Sequence, residues 1–206
     1  MAIETVLSKV LDFGKNENYF QLSTIGKLDK SCCLNSEIEI IDFDETKTII
    51  CKKNNWVDIK SCDALKILYE KDQVDFIEMK SVSKILQYQN INSKSELATH
   101  TNRFDFIGKI RDSLIIMSAI TQEGALNKEE RGIYHKIKKQ PILLTDIDYN
   151  DNALDFIVFG LDYLGNLSID IKTLMKDEVN NVKPDTLNNL TQPLLMDCKK
   201  FEEYYK

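Results

Sequence analysis

The stretch SCDALKILYEKDQVDFIEMKS, Ser61–Ser81, decides how this chain is read. Two apolar runs, DALKIL and VDFIEMK, flank the turn-like YEKDQ, which is the pattern of a β-hairpin. Side chains alternate faces along a strand, so Val74, Phe76, Glu78 and Lys80 share one face. A turn symmetric about Glu70-Lys71 sets Ile67 opposite Val74, Leu65 opposite Phe76, and Asp63 opposite Glu78. Carboxylates facing each other across a strand pair have Cβ atoms ~5 Å apart and repel. A shared divalent cation removes that cost, and Mg²⁺ is commonly held by one or two carboxylates. An odd-length loop at YEKDQ would instead turn Asp63 to the other face.

The acidic-x-Lys pattern alone carries little information. It also occurs at Glu45–Lys47, Asp58–Lys60, Asp170–Lys172 and Asp197–Lys199. The same hairpin test applied to LDFIVFGLDYLGNLSIDIKTLM, with its turn at Gly165-Asn166, sets Asp170 opposite Leu161 and Asp162 opposite Ile169. No carboxylate pair forms there, so Glu78–Lys80 stands apart through its partner Asp63.

Around this hairpin the apolar spacing predicts an α/β order. Ile3, Val6, Leu7, Val10 and Leu11 form one helical stripe, with Gly14 as its stop. EIEIIDF and KTIICKK flank Asp44-Glu45-Thr46 and read as a first hairpin, after a weakly structured segment 15–36. A long helix follows the second hairpin, its start marked by the capping box Ser93-Lys94-Ser95-Glu96. Its apolar residues run Phe104, Ile107, Ile110, Leu114, Met117, and Gly124 is its cap. NKEERGIYHKIKK reads as a short polar helix, PILLTDI as a buried strand, and Pro193 to Lys206 as a short amphipathic helix.

An Asp at a strand start, a hairpin, an apolar strand with Glu-x-Lys, a helix and a further strand together resemble the PD-(D/E)xK nuclease superfamily. The residues that carry the resemblance are Asp63, preceded by Cys62, and Glu78-Met79-Lys80. It implies an αβββαβ restriction-endonuclease-like core with a central mixed sheet flanked by helices, over residues 1–147. An acidic C-terminal hairpin and helix extension, residues 148–206, packs on the same domain. It implies that Asp63 and Glu78 coordinate Mg²⁺ or Mn²⁺ and that Lys80 orients the attacking water, as catalytic residues of a metal-dependent hydrolase. A further acidic ligand from or near the first helix points to Glu4 or Glu37. Phosphate contacts fall to Arg103, Lys109 or Arg111 on the long helix. Two departures are Cys62 at a position often held by proline and the lack of a clear Gln-x-x-x-Tyr motif after the lysine.

Composition narrows the setting. The chain has 206 residues and a net charge of −6. Residues 1–143 hold 21 acidic and 21 basic side chains, and residues 144–206 hold 12 and 6, so the acidity belongs to the C-terminal part. The candidate site therefore does not sit in a segment that repels phosphate overall. No signal-peptide pattern and no apolar run near 18 residues is present, which predicts a cytoplasmic protein that does not span a membrane. Five cysteines with no CxxC spacing predict free, buried thiols rather than a zinc knuckle. His100 and His135 read as surface or hydrogen-bonded side chains rather than general bases, and the single tryptophan, Trp56, as core or rim packing before the second hairpin.

The leading expectation is a nuclease hydrolysing phosphodiester bonds in DNA or RNA, acting as a homodimer or within a larger complex. The alternative is a non-catalytic binding or regulatory protein on the same scaffold, with the acidic tail as a protein-interaction surface. A solvated charge ladder on an exposed hairpin is the blandest reading of Glu78 and Lys80. Convergence or splaying of Asp63, Glu78 and Lys80 separates these readings.

Overall fold

A computed structural model describes residues 3–28, 31–82, 104–146 and 162–206. Its centre is one six-stranded mixed sheet in chain order: β1 (Gln21–Thr24), β2 (Glu39–Asp42), β3 (Ala64–Leu68), β4 (Gln73–Lys80), β5 (Lys138–Thr145) and β6 (Leu194–Asp197). Strands β1 to β4 run antiparallel, and β5 and β6 continue parallel to β4. The helices are α1 (Ile3–Asn16), α2 (Phe43–Asn54), α3 (Phe106–Ile120), α4 (Lys128–Lys136), α5 (Asp162–Asn181) and α6 (Cys198–Tyr204). Among the described residues no helix is long and apolar enough to cross a membrane.

The two sheet faces bury different partners. Ile41, Leu65, Val74, Phe76 and Leu143 face one core with residues of α1, α2, α3 and α5. Ile40, Ala64, Ile77, Met79, Ile142, Leu144 and Met196 face a second core, closed by Ile25, Leu28, Cys33 and Phe201 of α6. This alternation is the period-2 pattern of the sequence made physical. Strand β4 is buried from Gln73 through Met79 because both faces are covered.

The hairpin of β3 and β4 has the expected register, with Leu65 opposite Phe76 and Ile67 opposite Val74. A 3₁₀ turn at Tyr69–Lys71 makes the reversal, and Asp72 follows in the left-handed region at φ 47°. Several other elements differ from the sequence expectation. KTIICKK is not a strand but part of α2. Asp42 caps that helix by accepting from the Glu45 amide at 3.2 Å, and Asn55 ends it in the left-handed region. Its buried residues Phe43, Thr46 and Ile50 lie on a helical stripe, so tertiary burial overrides the strand preference of Thr and Ile. The hairpin about Gly165-Asn166 is likewise replaced by α5, whose later part and exit bury Met175, Val179 and Val182.

Helix α1 runs through Gly14 to Asn16 instead of stopping at it. Gly14 serves close packing, since a Cβ there would meet the Phe20 ring at 2.1 Å. Gly124 does mark an end, at φ 144° in a π-helical segment after α3. The described start of α3 is Asp105, whose carboxylate accepts from the Gly108 amide at 3.0 Å; the capping box at 93–96 lies outside the described residues. Lys139 is buried and donates to the carbonyls of Tyr134, His135 and Ile137 at 2.7, 3.1 and 2.7 Å. It thereby adds donors to the carbonyls at the end of α4, where the Tyr134 carbonyl also accepts from the Ile137 amide at 3.1 Å. His135 is exposed, and Trp56 packs half-buried against the first core.

The free-thiol expectation is corrected at two positions. Cys33 and Cys198 form a disulfide across 165 residues of sequence, while Cys32, Cys51 and Cys62 are free thiols. The pairing follows from the sheet: β6 runs beside β5 and delivers Cys198, the first residue of α6, to the segment holding Cys33.

Helix α6 is also fastened through a buried acid. Tyr205 donates to Asp75 Oδ2 at 2.7 Å, and Gln73 bridges to the Tyr204 hydroxyl at 2.7 Å and to the other Asp75 oxygen. Burial pushes the Asp75 carboxyl up to about 6, against the lowering pull of Tyr205 and Gln73. The folded protein therefore holds this proton more tightly than the unfolded chain. Its contribution is fully present below the unfolded value of 3.8 and is lost as pH rises through about 6. In thermal melts from pH 4 to 7, Asp75→Asn is expected to remove a fall in stability that wild type shows over this window. An unchanged pH profile in the variant would contradict this assignment.

Candidate functional site

The site forms where β3 begins and β4 ends. Asp63 immediately precedes β3, and continuing the hairpin register sets it opposite Glu78. Helix α3 fixes the approach to Asp63: the Asp112 carboxylate accepts from the Lys60 amide at 3.1 Å and Ser113 Oγ from the Cys62 amide at 2.9 Å. The Asp63 carbonyl accepts from the Phe43 amide at 3.1 Å, tying the start of α2 to the same point. Asp63 Oδ2 then accepts from the Met79 amide at 2.7 Å, taking a β4 donor beyond the Ala64–Ile77 pair that ends the ladder.

Glu78 lies on the β4 face that turns toward α3, and its residue is 0% exposed. Lys109 of α3 donates to Glu78 Oε1 at 2.6 Å and stands 3.9 Å from Asp63 Oδ1. Lys80 lies 3.3 Å from the same Glu78 oxygen and 4.5 Å from the centre of the Phe104 ring. The structure thus brings Asp63, Glu78 and Lys80 together, and adds Lys109 between the two carboxylates. Glu78 Oε2 is buried with no hydrogen-bond partner among the described residues. Burial, followed by the Asp63 charge, pushes the Glu78 carboxyl up to about 7, against the lowering pull of Lys109 and Lys80.

The two carboxylates have different access. A cleft of about 270 Å³ reaches Asp63 and Met79, with Lys27, Asp42, Asp44 and Glu45 among its other walls. Glu78 does not line it. Asp44 accepts from Ser61 at 2.6 Å and from Lys47 at 2.9 Å, so one of these acids is fastened to the chain leading into β3. Glu4 and Glu37 are both exposed, and no contact with Asp63 or Glu78 is seen for either among the described residues. The acids that adjoin Asp63 are those of the β2–α2 junction. Their signal in the sequence was Asp42-Phe43-Asp44-Glu45, a helix-capping run that the hairpin reading divided between the end of a strand and a turn.

Of the three basic residues expected to meet phosphate, Lys109 is bound to the site carboxylates. Arg111 is exposed and pairs with Asp112 at 3.0 Å, and Arg103 lies outside the described residues. Lys109 and Arg111 are two positions apart on a helix, about 200° around its axis, so they leave it in nearly opposite directions. Comparison with family models, curated proteins and solved structures finds no match.

Two carboxylates and two ammonium groups in water-poor surroundings form a coupled unit. Removing one partner of such a buried pair costs about 3 kcal/mol because the other charge is left uncompensated. Lys109→Met is therefore expected to lower unfolding free energy in urea by about that amount. Adding Glu78→Gln to the same chain is expected to recover much of the loss. Additive effects of the two substitutions would show that the pair does not act as a unit.

Proposed function

We propose that Asp63, Glu78 and Lys80 form a divalent-cation site for phosphodiester hydrolysis in nucleic acid, on a scaffold similar to that of PD-(D/E)xK nucleases. One observation carries the reading: two carboxylates from opposite strands converge on a single cationic position, with the second Glu78 oxygen buried and unpartnered. That donor set fits Mg²⁺ or Mn²⁺, which bind oxygen ligands. The element order adds partial support: α1, the β2–β4 meander, α3 and β5 follow one another as the resemblance implies, with β1 added between α1 and β2 and α2 inserted between β2 and β3.

In this reading Asp63 and Glu78 hold the ion through carboxylate oxygens. The ion supplies Lewis-acid activation of a water and stabilises charge on the scissile phosphate. Lys80, less buried than Glu78, would place its ammonium beside the reacting group. Lys109 holds the two carboxylates together and neutralises them until a divalent ion takes up that role. Asp63, itself buried, borders the cleft and Glu78 does not, so an entering ion would meet Asp63 first.

A second reading has its own support. Lys109 already neutralises the carboxylates at 2.6 and 3.9 Å, so the cluster is satisfied electrostatically without a metal. It then serves as a structural ion-pair network in a non-catalytic binding or regulatory protein.

The deciding experiment is calorimetric titration of Mg²⁺ and Mn²⁺ into wild type and Glu78→Gln, with cleavage of mixed DNA and RNA substrates alongside. The nuclease reading expects ion binding and cleavage in wild type and the loss of both in the variant. Circular dichroism confirms that the variant is folded. Neither binding nor cleavage in wild type would leave the structural reading standing.

A further inference from the structure

Outside this site the second core carries another cluster with metal-ligating atoms. The Cys33–Cys198 disulfide and the free thiol of Cys32 place three sulfurs within 4.8 Å of one another. Cys32 Sγ lies 3.8 Å from Cys33 Sγ and 3.6 Å from the Leu144 carbonyl at the end of β5. We propose that the reduced protein binds a soft d¹⁰ cation, Zn²⁺ being the physiological choice, through Cys32, Cys33 and Cys198. The disulfide is the oxidised, metal-free state of the same site.

The geometry supports a thiolate site. A tetrahedral zinc with Zn–S bonds near 2.3 Å sets its sulfurs ~3.8 Å apart. Cys32 and Cys33 already have that separation, and the 5.6 Å between the Cα atoms of Cys33 and Cys198 lets their sulfurs part by side-chain rotation. These ligands come from two remote parts of the chain held by the sheet, so the absence of CxxC spacing does not bear on them. A surface cavity of about 520 Å³ reaches all three cysteines and gives an ion its path. Glu202 and Lys199 line the same cavity. Glu202 follows Cys198 by four residues on α6 and so shares its helix face, placed to offer a carboxylate or hold a water as the fourth ligand. Lys199 offsets the single negative charge of an ion bearing three thiolates.

A phosphine gives two electrons to the Cys33–Cys198 bond and takes the oxygen of one water, whose two protons go to the separated sulfurs. The three thiols then release three protons as the cation binds. Burial opposes that release at Cys32, and the metal–sulfur bond must exceed the cost.

The test uses the full chain. It is reduced anaerobically with a water-soluble phosphine, freed of excess reagent, and titrated with Co²⁺ and then Zn²⁺. The expected result is one Co²⁺ per chain with a thiolate-to-cobalt charge-transfer band, displaced by one Zn²⁺. The disulfide-intact protein shows no band. Cys32→Ser, which keeps both partners of the disulfide, loses the band, and Cys51→Ser retains it. An ion at Asp63 and Glu78 has no sulfur ligand and gives no such band, so the two sites are read separately. A reduced wild type without the band, a band of equal strength in disulfide-intact protein, or one unaffected by Cys32→Ser would overturn the proposal. The oxidised and reduced wild type form a comparison that needs no variant to fold.

Discussion

Glu78 carries a carboxylate into a position closed to water, and the elements around it are arranged to offset that charge. An isolated ionised carboxylate in such surroundings costs several kcal/mol, so cations must stand beside it. Lys80 comes from the same strand and Lys109 from α3, which crosses above. Asp63 adds a second negative charge nearby and makes the demand larger. Ordinary core packing does not call for two acids opposite each other, and this local conflict between stability and charge is what gives the cluster a functional reading.

The sheet sets the positions and α3 holds them. The antiparallel register of β3 and β4 brings Asp63 across from Glu78, while Asp112 and Ser113 of α3 fasten the chain on its way into β3. The same helix supplies Lys109 one turn earlier. A displacement of α3 would therefore shift one carboxylate and one cation together. At the far side of the sheet, α6 is fixed by the Cys33–Cys198 bond and by the Tyr205–Asp75 contact. The two faces of the sheet thus rely on separate anchors, an ion-pair cluster on one and a disulfide with a buried acid on the other.

The hairpin was legible because strand alternation is strict there and both flanking pairs, Leu65–Phe76 and Ile67–Val74, are apolar. Helix α1 was legible from its apolar spacing and α4 from its polar, basic run, while the Asn127–Glu130 capping box that starts α4 emerges only in the structure. Helix α2 was not, because Thr46, Thr48, Ile49 and Ile50 are β-branched and short apolar runs do not distinguish strand from helix. Its signal was the cap at Asp42. The α5 segment misled for a similar reason, with Gly165-Asn166 imitating a turn. Asp63, Glu78 and Lys80 could be named from local sequence. The role of Lys109 could not, because it depends on how α3 crosses β4, 31 residues away. The disulfide partners, 165 residues apart, were hidden in the same way.

The most direct test of this account is a crystal structure of the protein soaked in Mn²⁺, with anomalous scattering recorded at the manganese edge. One peak is expected between the carboxylates of Asp63 and Glu78, with the Lys109 ammonium moved off Glu78 Oε1. A map without a peak there, and with Lys109 still bound to Glu78, would contradict it and leave the cluster as a structural ion-pair network.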